Sequence, residues 1–183
     1  MIGTHSRSAQ LGACIDFPIE AGCTSRRNMP VALDLLRGRG DRLAERLDAE
    51  PCLIDKRFAE LDFGSTAARR LTLWGTALLH VAAEYGNLEA AKLPVERGAD
   101  VNAGPELDEA GVDGQTPIFH AATQFYDCGL PVVEFFVQNG ADLSVRARIP
   151  GHHERPEEFV EYTPLSYARM FPGKENKTVA ESL

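Results

Sequence analysis

The chain has 183 residues, 44% of them hydrophobic and 25% charged, which suits one soluble domain with a sizeable core. The formal net charge of −8 argues against a nucleic-acid partner, because phosphate binding needs a basic face, and against an anionic membrane surface. No apolar run approaches the ~18 residues of a membrane-spanning helix, and the first residues lack the apolar stretch of a signal peptide.

Residues 1–30 show no clear periodicity and read as a poorly ordered N-terminal extension. From Val31 the pattern changes. Val31, Ala32, Leu33, Leu35 and Leu36 predict a short apolar helix, Gly38-Arg39-Gly40-Asp41 a turn, and Leu43 and Leu47 a second helix with Arg42, Glu45, Arg46 and Asp48 on its other faces. Glu50-Pro51 ends it, since the residue before proline is pushed out of the α region. The stretch Gly75 to Asn102 repeats this plan more clearly. Leu78, Leu79, Val81, Ala82 and Ala83 form one short helix, Gly86-Asn87 breaks it, and Leu88, Ala91, Leu93 and Val95 form another that Gly98 stops. A third unit opens at Gly114-Gln115-Thr116-Pro117 and runs through Val132, Val133, Phe135 and Phe136 to Gly140-Ala141-Asp142. A fourth opens at Tyr162-Thr163-Pro164 and has its turn at Phe171-Pro172-Gly173.

Local chemistry accounts for these signatures. Thr116 and Thr163 stand where a helix N-cap is needed, with Pro117 and Pro164 at the first helical position, where a missing N–H costs nothing. Gly98 and Gly140 stand just past a helix end, where left-handed geometry favours glycine. The order of pieces resembles the ankyrin repeat: a Gly-x-Thr-Pro-Leu-His-like opening, an Ala-Ala pair, a Gly turn, a Leu-rich helix and a Gly-Ala-Asp exit. It is most similar to bacterial-type members with extended β-hairpin fingers. The resemblance implies an all-α repeat solenoid over residues 31–183, with about four repeats near 31–54, 75–103, 114–144 and 161–183, the outer two degenerate. It also implies that His80 bonds backbone groups of its own and the adjacent repeat.

The departures from the family are informative. The family period is about 33 residues, whereas Ala77, Thr116 and Thr163 lie 39 and 47 apart. The extra residues fall mainly between one exit and the next opening, predicting long hairpins or loops near 55–74, 103–113 and 144–161. These either bind a partner or pack on one another. Their charges differ. Lys56, Arg57, Arg69 and Arg70 mark the first, Glu106, Asp108, Glu109 and Asp113 the second, and Arg146, Arg148, His152, His153 and Arg155 face Glu154, Glu157, Glu158 and Glu161 in the third. Phe125 and Tyr126 lie in an enlarged turn, where they cap the core or present aromatics to a partner. Pro94 lies inside the second helix of its unit and predicts a kink or an early end there.

Chemistry is sparse. No phosphate loop, dinucleotide fingerprint, nucleophile elbow or zinc-protease motif occurs. Cys14, Cys23, Cys52 and Cys128 match no zinc spacing and are expected to be free thiols in a reducing cytoplasm. His152, His153 and Glu154 are the one candidate metal cluster, but adjacent residues of a strand point to opposite faces. The expectation is therefore a monomeric cytoplasmic protein without cofactor, metal or catalysis that binds another protein. Expected contacts are Trp74, Tyr85, Phe125, Tyr126, Met170 and Phe171 along the inner helices and finger bases, and Arg69, Arg70, Glu106, Asp108, Arg148, His152 and His153 at the finger tips. The alternatives are a metal- or small-ligand-binding enzyme at the finger face and a structural spacer.

Overall fold

A computed structural model of the chain describes residues 29–58, 61–65, 70–73, 75–104, 114–124, 127–152, 155–170, 179, 181 and 183. The first helix pair is α1 (Met29–Leu36) and α2 (Gly40–Ala49). The helix takes in Met29 and Pro30, so it starts two residues before the periodicity suggested. Proline is tolerated there because the first-turn N–H groups have no helical acceptor. Val31, Ala32, Leu35 and Leu36 meet Leu43 and Leu47 in the core. Asp34 is buried among them and would be costly unpaired. It accepts from Arg46 Nε at 2.8 Å and Arg39 Nη1 at 3.4 Å. The helix α2 ends before Pro51, as the sequence suggests, and a single 3-10 turn follows.

Two antiparallel strands, β1 (Leu61–Ser65) and β2 (Arg70–Leu73), come next. Leu61 lies opposite Leu73, and the register is irregular between Asp62 and Ser65. The base is fixed by a bridge in which Phe58 N–H donates to the Thr76 carbonyl at 2.8 Å. Phe58 and Leu73 are buried there.

The second pair, α3 (Leu78–Glu84) and α4 (Leu88–Glu96), turns at Gly86, whose φ of 57° suits a residue without a Cβ. All six residues from Leu78 to Ala83 are buried. A helix that is apolar all round needs neighbours on every side. It has them in α1, α4 and α5 (Pro117–Ala122). Ala82, Ala83, Ala121 and Ala122 have no exposed surface, so the small side chains let α3 and α5 pack closely. Asn87 caps α4 by accepting from Ala90 N–H at 3.0 Å. The early end expected at Pro94 does not occur, for α4 continues to Glu96. The ring sits in the last turn, so one backbone bond is lost. The Pro94 carbonyl is still used, accepting from Ala99 N–H at 2.9 Å.

The third pair is α5 with α6 (Leu130–Gln138). A Cβ on Gly129 would lie 1.8 Å from the Ala121 carbonyl oxygen, so only glycine lets this turn close over the end of α5. Cys128 in the same turn is disulfide-bonded, with its partner outside the described residues. That corrects the expectation of free thiols, though Cys52 is free and exposed. The strands β3 (Ala147–His152) and β4 (Arg155–Tyr162) form a second hairpin, and β4 leads into α7 (Pro164–Ala168). The helices α1, α3, α5 and α7 pack in sequence, as do α2, α4 and α6, which gives two parallel rows of helices. Gly98 and Gly140 take φ of 88° and 85° at the exits, as expected of left-handed caps. Asn102 ties one exit to the next. Its Nδ2 donates to the Gly140 carbonyl at 3.0 Å, and its Oδ1 accepts from Asp142 N–H at 2.7 Å. The extension expected over residues 1–30 lies, up to residue 28, outside the described residues, as does most of the middle hairpin expected near 103–113.

Candidate partner-binding face

The first helices of the pairs open alike and are capped differently. Ala77, Thr116 and Thr163 are all extended, ready to cap. The side chain three positions on decides whether the opening residue's own N–H is met. Ser166 completes a reciprocal cap, with Ser166 N–H donating to Thr163 Oγ1 at 3.2 Å and Thr163 N–H donating to Ser166 Oγ at 2.8 Å. His80 does the same work for Ala77, whose N–H donates to the ring Nδ1 at 3.1 Å. At the third opening the residue is Phe119, which accepts nothing. The Thr116 side chain makes no cap there, and its buried hydroxyl has no partner. The capping role read for Thr116 is therefore corrected to a conformational one, while that of Thr163 holds.

The histidine His80 is fully buried and spans two repeats as the family resemblance implied. Its Nδ1 accepts from Ala77, so Nε2 carries the proton and donates to the Gln115 carbonyl at 3.0 Å. The ring is thus held neutral in one tautomer. Burial holds its pKa well below the ordinary histidine value, helped by the nearby charges of His120 and Arg57, while the Gln115 and Ala77 bonds oppose the shift.

Immediately beside it lies a polar pair not anticipated from the sequence. His120 Nδ1 lies 2.8 Å from Glu84 Oε2, with side-chain exposures of 12% and 11%. The His120 ring meets His80 edge-on at 5.5 Å. The Gln124 amide donates to the His120 carbonyl at 2.9 Å. On the α7 side, the Tyr167 ring lies 5.9 Å from Phe119 and 5.6 Å from Tyr162. Val81, His120 and Tyr167 each follow the third helical residue of their unit, so they form one row across α3, α5 and α7. The row runs from apolar through a carboxylate–imidazole pair to an aromatic patch. It offers hydrogen bonding and ring surface. Among the described residues no group of three histidine, cysteine or carboxylate side chains is placed to hold a metal.

The expected contact residues are placed as follows. Tyr85 lies in the turn after α3, half-buried against the core, and Met170 is half-buried in the turn after α7. Arg148 is exposed on β3, its guanidinium 5.4 Å from the centre of the Phe159 ring. Arg70 opens β2 and His152 ends β3 opposite Arg155. Arg69, Trp74, Glu106, Asp108, Phe125, Tyr126, His153 and Phe171 lie outside the described residues, as does Glu154. Sequence reasoning passed over Glu84, His120 and Asn102. Glu84 and His120 are 36 residues apart, and the usable signal was their place in the repeat: both belong to first helices that stack directly.

Paired short helices joined by glycine turns, stacked in two rows and linked at their exits, define a helical repeat protein. The chain belongs to the ankyrin-repeat family, whose model, described as ankyrin repeats (3 copies), matches residues 49–147, more than half its length. Ankyrin repeats are generally protein–protein interaction modules and are typically non-catalytic. A search of curated proteins finds no match. No helix among the described residues is long and apolar enough to cross a membrane.

Proposed function

We propose that this protein is a non-catalytic interaction module that binds a folded protein partner through the face of α3, α5 and α7 and the hairpins beside it. The observation that carries the reading is the Glu84–His120 pair. Its side chains keep 12% and 11% exposure in a row whose neighbours Ala82, Ala83, Ala121 and Ala122 are fully buried. A stack needs only the fully buried positions, so polar and aromatic groups that still reach the surface are available for recognition. Tyr85, Tyr167 and Met170 extend the same face, and the proposed contact set includes Trp74, Phe125, Tyr126 and Phe171. The hairpins contribute Arg69, Arg70, Glu106, Asp108, Arg148, His152 and His153 at the edge.

The test is affinity capture from the source cell with quantification of bound protein. Tyr85→Ala with His120→Ala is compared against Glu89→Ala on the exposed side of α4. Loss of a stoichiometric partner at least ten-fold for the face variant alone supports the reading. Equal capture by all three forms overturns it.

A further inference from the structure

The carboxylate of Glu84 decides what the His120 ring can offer a partner. A carboxylate only accepts hydrogen bonds, so His120 Nδ1 carries the proton and donates to Glu84 Oε2 at 2.8 Å. In the neutral ring the other nitrogen, Nε2, is then a bare acceptor. The two ring nitrogens point in nearly opposite directions. With Nδ1 turned to Glu84 on α3, Nε2 turns away from α3, and α5 packs between α3 and α7. Nε2 has no hydrogen-bond partner among the described residues. The buried side-chain atoms left unmet there are the Thr76 and Thr116 hydroxyls, so Nε2 keeps contact with solvent through the ring's small exposure.

Ring surface lies next to this acceptor. His120 and Tyr167 hold matching positions on the packed helices α5 and α7, each four residues past the opening threonine. The Tyr167 ring is half-buried, 5.6 Å from that of Tyr162 and 5.9 Å from that of Phe119.

We infer that the face of α3, α5 and α7 takes a tyrosine side chain of the partner protein, its ring on Tyr167 and its hydroxyl donating to His120 Nε2. The inference rests on the interaction-module reading and names one contact within it. Electrostatic complementarity selects the occupant. A lone pair at the surface repels a partner carbonyl or carboxylate and fits the positive end of an O–H or N–H bond. The number of donors narrows the choice. Arginine brings five and lysine three, so one acceptor leaves most of them unmet and a charge covered. Tyrosine brings a single O–H, which one acceptor satisfies. Serine and threonine do the same but bring no ring. Tryptophan's N–H is part of its ring, which draws the ring toward His120 and off Tyr167. An O–H donor sits about 2.8 Å from its acceptor, and paired ring centres lie about 4.5–7 Å apart. One phenol meets both conditions by lying over the groove between α5 and α7, since packed helix axes are about 8–10 Å apart. A rigid ring with two torsions to fix is also a common interface anchor.

The test applies side-chain analogues to the full chain. p-Cresol stands for tyrosine, 4-methylanisole for the same ring without the O–H, 3-methylindole for tryptophan and methylguanidinium for arginine. Histidine is labelled with nitrogen-15, and two-bond proton–nitrogen spectra are recorded at pH 7.5. The His120 signals are assigned from the contact of its ring with His80, whose Nε2 carries the proton and supplies the contrasting pattern. Free wild type should show a protonated Nδ1 and a bare Nε2 at His120. p-Cresol should move the Nε2 signal saturably, and the other three probes should bind at least five-fold more weakly. In His120→Phe, followed at the Tyr167 ring, p-cresol and 4-methylanisole should bind within two-fold of each other. A protonated Nε2 in the free protein, no saturable shift, or equal binding of p-cresol and 4-methylanisole by wild type overturns the inference. So does tighter binding of 3-methylindole or methylguanidinium. The wild-type readings decide the matter even where His120→Phe fails to fold. Failure here with partner capture still lost on Tyr85→Ala with His120→Ala refutes the tyrosine contact alone; equal capture as well refutes the interaction reading.

Discussion

Replacing His80 by Phe tests how the two central repeats are joined. Phenylalanine stands at the equivalent position of the next repeat, so its ring suits the helix and the volume change is small. What is lost is two hydrogen bonds, from Ala77 N–H at 3.1 Å and to the Gln115 carbonyl at 3.0 Å. The Ala77 N–H is buried, and leaving such a donor unmet costs about 1–3 kcal/mol. The Gln115 carbonyl is in a partly exposed setting and recovers water, so its share is smaller. Together they predict a loss of about 2–3 kcal/mol at pH 7.5, read as a lower urea midpoint with the slope unchanged. The same histidine predicts a pH signature. Its folded pKa is depressed by burial, then by His120 and Arg57, so its neutral form gives stability that is complete above the unfolded value of about 6.5. That stability is lost as pH falls toward the folded value. Between pH 7.5 and 5.5 the wild type should lose stability through this group, and His80→Phe should lack that part of the slope. An unshifted midpoint at pH 7.5, or identical pH slopes for the two proteins, would refute the reasoning.

Other outcomes follow from the same packing. Thr116→Val removes a buried hydroxyl without a partner and should leave stability unchanged or raise it by up to about 1 kcal/mol in urea unfolding. Thr163→Val breaks a reciprocal cap and should lower it by about 1 kcal/mol. Asn102→Ala cuts both bonds between successive exits and should cost about 1–2 kcal/mol, seen as a lower thermal midpoint. Gly129→Ala drives a Cβ into the Ala121 carbonyl and should cost about 3 kcal/mol or prevent soluble expression.

Much of the fold was legible because ankyrin-like signatures are local. Thr163-Pro164, the glycines at 86, 98 and 140 and the alanine pairs each fix a cap, a turn or a close approach within a few residues, and all appear where the sequence put them. Reading failed where a second residue decided the outcome. At Thr116 the Phe119 N–H goes to the threonine carbonyl at 3.0 Å and leaves the hydroxyl idle, which the threonine alone does not reveal. The early end expected at Pro94 rests on the ring's own chemistry, yet the ring falls in the last turn and α4 runs past it. The Glu84–His120 pair joins residues 36 apart and belongs to the stacking of two helices, which no single repeat displays. Cys128 offered no base or metal partner in its own neighbourhood, and its disulfide is likewise a property of the folded chain.

The central claim is that the face of α3, α5 and α7 binds a protein through the Glu84–His120 row. The most direct measurement is site-specific photocrosslinking in the source cell, with a benzophenone side chain at position 85 and, separately, at exposed position 45 on α2. The account predicts one dominant protein adduct from position 85, lost when His120→Ala is introduced, and none of that mass from position 45. Adducts of the same mass from both positions, or an adduct from position 85 that survives His120→Ala, would contradict it.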